Sequence, residues 1–267
     1  MPAAAVETRL RPLRLERPKL AVDTVLFAFE GGCLKSYLVQ LKQGAVAGKW
    51  AFPGGLVRRG ELLDDAARRE LEAATGLRGE SSTNHCRRAP SSRHSLTGSR
   101  ADSSGDSLAD LGPRGGAYLE QLFTFGDPSR DPLAHVVSVA YLALTADPAR
   151  VSACSDKYAG AQWYEAGALP PLAYDHALVA DYALSRLRAK LAYTNIAVHL
   201  LPPSFAFAEL EELYANVLER PLDRRNFRRR IMASGLLRPL ARMRRGAHRP
   251  ASLYSFAQRS VQMIEML

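Results

Sequence analysis

The chain has 267 residues, 47% of them hydrophobic, which is enough for one large domain or two smaller ones. No apolar run reaches the roughly 18 residues of a membrane helix, and residues 1–18 combine four arginines with three prolines and lack the apolar segment of a secretory signal. These features argue against a membrane-spanning or secreted protein and predict a cytoplasmic location. Cys33, Cys86 and Cys154 lack metal-binding spacing, so we expect reduced thiols.

The formal net charge of +9 is concentrated in one segment. Residues 220–249 hold eleven arginines and a single acid, Asp223, which gives this segment a charge of +10 and leaves the other 237 residues with a sum of −1. Because the positive charge is local, we expect residues 220–249 to bind a polyanion.

The N-terminal half predicts strands followed by a helix. Residues 19–29 and 33–42 flank a Gly-Gly turn and predict a β-hairpin. Residues 50–55 predict a short strand that ends in a Pro-Gly-Gly turn. Residues 62–74 have apolar side chains at helical spacing, and Gly76 lies where a left-handed helix cap is expected.

Residues 78–117 differ from the rest of the chain, because they contain nine serines and no aromatic residue. Such a segment buries too little apolar area to offset its ordering entropy, so we predict a disordered insert. Strands are expected again from Tyr118, at residues 136–145 and at residues 162–165. Residues 176–191 predict an amphipathic helix that connects to a second domain.

The C-terminal part predicts a helix-turn-helix followed by a β-hairpin. Ser204 is the expected N-cap of the first helix, and Asp223 is the expected N-cap of the second, which runs to about Ser234. Residues 236–242 and 252–256 are expected to pair as strands. The inner faces of the two helices are predicted to carry Leu210, Leu213, Tyr214 and Val217, and Phe227, Ile231 and Met232.

Residues 55–77 resemble the Nudix hydrolase box, a long motif of fixed spacing that an ordinary loop and helix would not reproduce. The box requires a Glu-Glu pair where this chain has Ala73 and Ala74. The matching positions are Gly55, Glu61, Arg69, Glu70, Leu71, Gly76 and Leu77.

In the enzymes, as the resemblance implies, acids on this helix hold Mg²⁺ against a diphosphate. Glu70, Ala73 and Ala74 are expected to share one face of the helix, whereas Glu72 points elsewhere. With two acids gone we expect no catalytic residues, no metal site and no hydrolysis. Other acids, such as Glu120, Asp127 or Asp131, leave an active hydrolase with a rebuilt metal site as the alternative.

Loss of the acids leaves a site that can accept an anion through nearby arginines. For Arg69 we favour a structural role over anion binding, because the resemblance implies that it pairs with Glu61. The residues predicted to line the ligand site are Arg58, Arg59, Glu61, Arg69, Glu70, Phe125, Asp127 and Arg130.

The second helix of the C-terminal part is expected to turn arginines and an asparagine outward. Arginine can bind guanine and phosphate, and asparagine can bind adenine, so this pattern predicts DNA binding. An RNA-binding or scaffold surface is the alternative interpretation. The residues predicted to contact DNA are Arg224, Arg225, Asn226, Arg228, Arg229, Arg244, Arg245, His248 and Arg249.

The combination resembles the Nudix-related transcriptional regulators of NAD metabolism, over residues 19–77 and 118–257. The resemblance implies an α+β chain with a Nudix α/β/α sandwich around a mixed sheet and a C-terminal winged helix-turn-helix. It also implies a homodimer that binds a palindromic DNA operator, with ADP-ribose or a related nucleotide as effector and no required cofactor. The expected domains are a leader (1–18), a Nudix-like domain (19–170), a connector helix (171–192), a winged helix (193–257) and a tail (258–267).

Overall fold

A mixed β-sheet of eight strands forms the centre of the N-terminal half in the computed structural model, which describes residues 17–81, 116–152, 155–244 and 250–264. Six strands are ordered β3-β2-β1-β7-β6-β5, while β4 pairs with β1 and β8 pairs with β2. The β1–β7 and β5–β6 pairs are parallel and the others antiparallel. The strands are β1 Lys19–Glu30, β2 Cys33–Leu41, β3 Trp50–Ala51, β4 Gly54–Leu56, β5 Arg78–Ser81, β6 Gly116–Phe125, β7 Val136–Thr145 and β8 Tyr158–Glu165.

Two helices cover the two faces of this sheet. Side chains alternate along a strand, so Val22 and Leu26 of β1 pack on one face with Leu71 of α1 (Leu63–Thr75). Val25 of β1 packs on the other face with Leu187 of α2 (His176–Tyr193). The central strand is therefore buried on both sides, and the expected α/β/α sandwich is confirmed. No helix among the described residues is long and apolar enough to cross a membrane.

The C-terminal part is a winged helix, as expected. Its helices are α3 (Phe207–Leu218) and α4 (Arg224–Ala233). Its three-stranded sheet is ordered β10-β11-β9, with β9 at Phe205–Ala206, β10 at Leu237–Arg244 and β11 at Ala251–Phe256. The Asp223 carboxylate accepts the backbone N–H of Asn226 at 3.1 Å, so the expected cap of the second helix is confirmed.

One hydrophobic cluster runs from the Nudix sheet into the winged helix. It contains Val25 of β1 and Leu187 of α2 together with Tyr214 of α3 and Phe227 of α4. Polar contacts reinforce this packing: the backbone N–H of Leu34 donates to Asn216 Oδ1 at 2.9 Å, and Arg188 Nε donates to the carbonyl of Val217 at 2.8 Å. Because packed cores resist small displacements, a shift of α2 has to be accommodated by α3.

Helix α1 ends as the sequence predicts, since Gly76 has a φ of 72° and its N–H donates to the carbonyl of Glu72. The predicted Pro-Gly-Gly turn is wrong, because Gly54 lies inside β4, paired with β1. Ser204 is not the N-cap of α3. Ala206 occupies that position, and the Glu209 side chain accepts its N–H at 2.7 Å.

Met232 is 44% exposed, which contradicts its predicted place on the inner face of α4. Phe227 and Ile231 lie one turn apart and define the buried face, and Met232 follows about 100° around the helix from Ile231. The predicted inner face of α3 is confirmed, because Leu210, Leu213, Tyr214 and Val217 are all buried.

The two ends of the predicted insert belong to the sheet. Residues 78–81 form β5, which pairs in parallel with residues 116–119 of β6, so disorder was wrong at these positions. The strand order places β5 at an edge of the sheet, which composition alone does not reveal. The rest of the insert and the leader to residue 16 lie outside the described residues, as do Cys86 and Cys154, while Cys33 is a free thiol. The domain boundaries stay predictions.

Replacing Tyr214 with Phe should stabilise the protein. The Tyr214 hydroxyl is buried and has no hydrogen-bond partner among the described residues, while its ring packs 4.8 Å from that of Phe227. An unsatisfied buried hydroxyl is unfavourable, so we expect Tyr214→Phe to raise the free energy of unfolding by about 1 kcal/mol in urea denaturation.

Tyr37→Phe is the matched control, because the Tyr37 hydroxyl donates to the carbonyl of Ala74 at 3.4 Å. That variant should lose stability. A loss of stability in Tyr214→Phe as well would contradict the assignment.

Candidate functional site

A cavity of about 290 Å³ opens beside the first strand of the Nudix sheet. Its wall combines aromatic side chains with a few charged ones, an arrangement typical of small-molecule sites. Strands β1, β4 and β8, the loop after β6 and the segment before α2 all contribute to it. The lining residues that matter most are Phe52, Tyr158, Tyr174, Asp23, Arg130 and Lys157.

Asp23 is the buried acid of this cavity. Its Oδ2 accepts a hydrogen bond from Ser138 Oγ at 2.5 Å and lies 3.4 Å from Arg130 Nη2 and 3.5 Å from His176 Nε2. Burial by itself raises the pKa of Asp23, but His176, the Ser138 hydroxyl and Arg130 outweigh it and lower the pKa to about 2. His176 Nδ1 accepts the N–H of Phe52 at 3.0 Å, so the proton on this ring belongs on Nε2, facing Asp23.

Arg130 joins the cavity to the start of α2. Its guanidinium binds Asp175 in bidentate fashion, with Nε at 2.9 Å and Nη2 at 2.7 Å from the two carboxylate oxygens. Burial alone would lower the pKa of Arg130, but the carboxylates of Asp175 and Asp23 raise it. Asp175 is the N-cap residue of α2, yet its side chain makes no capping hydrogen bond. The salt bridge therefore takes the place of a helix cap.

Two adjacent glycines let the acidic groups approach the backbone of β4. A Cβ on Gly54 would collide with Asp23, and a Cβ on Gly55 would collide with Glu70 and Lys157. The glycine that opens the Nudix box is thus required for space, and it brings the backbone against the remaining acid of the box helix.

That acid, Glu70, is held between two cations. Arg69 Nη1 contacts its Oε1, and Lys157 Nζ lies 2.8 Å from its Oε2. Arg69 also binds Glu61, with Nε at 2.7 Å and Nη2 at 2.9 Å, so the expected Arg69–Glu61 pair is present. The Arg69 hydrogen bond and the N–H of Arg58 lower the pKa of Glu61 to about 2.

The described residues do not fit the Mg²⁺ that Nudix enzymes use. Magnesium needs free carboxylate oxygens, and both oxygens of Glu70 are already bound. Glu70, Ala73 and Ala74 all lie in helix α1 and share one face, as expected, although Ala73 is exposed and Ala74 is packed in the core. Within the described parts of the chain, no three His, Cys, Asp or Glu residues cluster as metal ligands.

The acids considered for a rebuilt metal site have other partners. Glu120 binds Lys190 at 2.7 Å and Arg186 at 3.2 Å. The Asp127 carboxylate accepts from Ser129, and that of Asp131 accepts the N–H of Leu133 at 2.8 Å. Each carboxylate therefore serves a local turn or ion pair.

Of the predicted ligand residues, Arg130 lines the cavity. Glu70 forms an ion pair with Lys157, which lines the cavity, while Arg69 and Glu61 form the neighbouring ion pair. Arg58 and Arg59 are exposed on the loop before α1. Phe125 stacks edge-on with Phe123 and Tyr182, and Asp127 lies in an exposed turn. The ligand-binding roles of all eight residues stay predictions.

Sequence reasoning missed Asp23, Lys157, Tyr174 and His176. Asp23 carried a signal, because it is an acid in the middle of a largely apolar strand. Lys157 carried none, since it lies 87 residues from Glu70 and its role depends on the tertiary fold. Tyr174 has a φ of 55°, an uncommon conformation for a residue with a bulky side chain.

A second candidate surface lies on α4 and the adjoining hairpin. Arg225 and Arg229 lie opposite the buried Phe227 and are exposed to solvent. Arg229 Nη2 donates to Asn226 Oδ1 at 2.7 Å, which fixes the two side chains next to each other. This face therefore presents fixed positive charge and hydrogen-bond donors outward.

Other predicted DNA contacts have structural partners. Arg228 lies over the ring of Phe207, 4.4 Å from its centroid, and Nη2 donates to the Tyr254 hydroxyl at 3.3 Å. Arg244 pairs with Glu209 at 2.9 Å. Arg224 is exposed, and Arg245, His248 and Arg249 lie outside the described residues. The DNA-binding roles of these residues stay predictions.

Known proteins match both halves of the chain. Residues 17–99 match the NUDIX domain, and residues 197–256 match the NrtR DNA-binding winged helix domain. A crystal structure of Shewanella oneidensis NrtR complexed with a 27mer DNA is 26% identical, with a TM-score of 0.67, over 89% of this chain and 93% of that one. The chain is thus similar to NrtR over both of its parts.

Two curated relatives of this NrtR-like chain have different activities. An ADPR responsive transcriptional repressor of Acinetobacter baylyi is 29% identical over 244 residues, which cover 90% of this chain and 82% of the relative. An ADP-ribose pyrophosphatase of Methanocaldococcus jannaschii is 26% identical over 166 residues, which cover 62% of this chain and 73% of that protein. The resemblance expected from the sequence is confirmed.

The low pKa of Asp23 predicts a pH dependence of stability. A folded pKa of about 2, against an ordinary value of 3.8, means that Asp23 stabilises the fold above pH 4 and loses this contribution as the pH falls toward 2. Asp23→Asn should lower the free energy of unfolding at pH 7 by about 2 kcal/mol and flatten its decline between pH 4 and 2.

Urea denaturation at a series of pH values measures both effects. Asp156→Asn is the control, because Asp156 is exposed, and it should behave like the wild type. Equal pH profiles for Asp23→Asn and the wild type would show that Asp23 makes no such contribution.

Proposed function

We propose that this NrtR-like protein is a DNA-binding transcriptional repressor that responds to ADP-ribose or a related NAD-derived nucleotide. The observation that carries the proposal is the single hydrophobic cluster that joins the Nudix sheet, α2 and the winged helix. A nucleotide-sized cavity and an arginine-rich DNA-binding module are thus parts of one packed structure. Repression of NAD biosynthesis genes, in the cytoplasm, belongs to the same proposal.

The chemistry of the cavity supports a nucleotide diphosphate as ligand. Tyr158 and Tyr174 offer aromatic surfaces for a base or a ribose. Lys157 and Arg130 supply the positive charge that phosphate oxygens require. The Acinetobacter relative is described as ADPR responsive, which supports ADP-ribose as the first ligand to test.

The exposed face of α4 supports DNA as the macromolecular partner. In a winged helix the second helix enters the major groove, where arginine binds guanine and the phosphates. The Shewanella NrtR was crystallised with DNA. Two copies of the chain would present two such helices, so we also propose a homodimer on a palindromic operator.

We propose that the nucleotide is bound and not hydrolysed. The only box carboxylate on the metal-facing part of α1, Glu70, is neutralised by Arg69 and Lys157. The Methanocaldococcus relative is named as a pyrophosphatase, so hydrolysis of ADP-ribose is the second candidate function.

Helix α2 is the proposed connection between the two sites. It begins at His176, which lines the cavity, and its neighbour Asp175 is bound by Arg130. Twelve residues later, Arg188 donates to the carbonyl of Val217 in α3 and pairs with Glu219 just beyond it. A phosphate that draws Arg130 away from Asp175 would free this carboxylate to cap α2 and change the position of the helix start.

A gel shift tests the proposal directly. A palindromic duplex, selected by repeated binding from random-sequence DNA, should bind the full chain far better than a scrambled duplex. ADP-ribose should weaken this binding by roughly 5- to 150-fold. Arg225→Gln should weaken it by about tenfold, because one arginine contact to a base is worth about 1–3 kcal/mol.

Arg150→Gln is the control for charge, since Arg150 is exposed in the Nudix half, and it should bind DNA like the wild type. Equal binding of RNA and scrambled DNA would favour the scaffold or RNA interpretation. The same mixtures are assayed for AMP: steady Mg²⁺-dependent release from ADP-ribose would favour the hydrolase. Sedimentation of the protein–DNA complex tests the homodimer.

Arg188→Ala tests the proposed connection. The variant removes the contact between α2 and the carbonyl of Val217 but leaves the cavity and α4 unchanged. We expect both ligand affinity and DNA affinity to persist, while the effect of ADP-ribose on DNA binding falls toward none.

The matched control is Arg186→Ala, on the same helix. Arg186 binds Glu120 and the carbonyl of Leu122 in β6 and so faces the Nudix sheet. It should retain the ligand response. Retention of the response in Arg188→Ala would rule out this route.

A further inference from the structure

Lys157 occupies an unusual place for a lysine. Its ammonium lies 2.8 Å from Glu70 Oε2 and also donates to the carbonyl of Gly54, above the backbone of β4. Its side chain is 45% exposed and lines the cavity, whereas that of Glu70 is 8% exposed. The buried carboxylate of Glu70 is therefore covered by the Lys157 ammonium, which a ligand in the cavity can contact.

We propose that the Lys157 ammonium does the work of a divalent cation here, so that the protein binds the diphosphate of its nucleotide without metal. The inference rests on the proposed function for the identity of the nucleotide. The proposed ligand group is a diphosphate, which the Lys157 ammonium, held in place by Glu70, would bind in the cavity.

The donor count of the ammonium leaves one donor that a ligand can take over. A lysine ammonium has three hydrogen-bond donors, and Glu70 and the Gly54 carbonyl take two of them. Tyr158, which also lines the cavity, interacts with the third, and a phosphate oxygen would take over that donor. Phosphate oxygens are strong acceptors, and charge-assisted hydrogen bonds to them are about twice as strong as neutral ones.

The charge balance of this wall also favours an anion over a metal ion. Glu61 and Glu70 are matched by Arg69 and Lys157, so no carboxylate in this chain of contacts lacks a cation. Burial by itself lowers the pKa of Lys157, but Tyr158 and Glu70 raise it, so the ammonium stays charged at neutral pH. A divalent cation would have to displace Lys157 from Glu70 before it could bind.

The backbone of β4 fixes the position of the ammonium. A Cβ on Gly55 would collide with both Glu70 and Lys157, so the glycine leaves room for this ion pair. The ring of Tyr158 lies 5.3 Å from the ammonium and adds a cation–π contact. A charge held in this way needs little reorganisation when a ligand arrives.

Calorimetric titration of the full chain tests the inference. ADP-ribose and inorganic pyrophosphate are titrated separately into the wild type, in EDTA and in Mg²⁺. Both should bind in EDTA, and removal of Mg²⁺ should change each affinity by less than about threefold, which is roughly 0.6 kcal/mol.

Lys157→Met should weaken the binding of both compounds in EDTA by about tenfold or more. Lys157→Arg keeps the charge and should retain most of the affinity. Lys49→Met is the matched control, because Lys49 is exposed and does not line the cavity, and it should bind like the wild type. Thermal melts identify any variant that fails to fold.

The comparison in EDTA needs no variant and is decisive by itself. Binding of pyrophosphate or ADP-ribose only in Mg²⁺, or absence of binding of both compounds in EDTA, would overturn the inference. So would unchanged affinity in a folded Lys157→Met variant. If pyrophosphate binds through Lys157 but ADP-ribose does not bind, the inference stands and the proposed nucleotide is wrong.

Discussion

The buried carboxylate of Glu70 determines which charged residues surround the site in the Nudix half. A buried charge must be paired, and leaving one without a partner costs roughly 3–5 kcal/mol. Arg69 and Lys157 satisfy this requirement from inside the chain, where an enzyme of this fold would use metal ions. The close approach of Gly55 and the loop position of Glu61 follow from the same constraint, since both complete the surroundings of these ions.

A second ion cluster also lines the cavity. Asp23 and Asp175 share Arg130, and His176 faces Asp23 from the first turn of α2. The two clusters differ in one respect. The Glu70 cluster is balanced and lies against the sheet, whereas the Arg130 cluster includes the N-cap residue of the helix that leads to the winged helix. A ligand that spans the cavity would be held by the Glu70 cluster and would affect the start of α2 through the Arg130 cluster.

Local patterns predicted much of this fold, because helix caps and strand alternation act over a few residues. The Gly76 cap, the Asp223 cap and the buried face of α3 are examples. Contacts between distant segments were not predictable in this way. Lys157 reaches Glu70 across 87 residues, and the pairing of residues 78–81 with β6 spans the Ser-rich insert. The sequence thus predicted the Nudix box, whereas the ion pairs around it could be identified only from the tertiary structure.

The distance between the two sites decides how they can communicate. From His176 to Arg188 the helix rises about 18 Å, roughly twice the Debye length of about 8 Å at physiological ionic strength. Where solvent separates them, the charge of a bound diphosphate is therefore largely screened at α3. Direct repulsion between ligand and DNA cannot account for a large response over that distance. Coupling then has to pass through the packed core, in which α2 contacts both the cavity and the carbonyl of Val217.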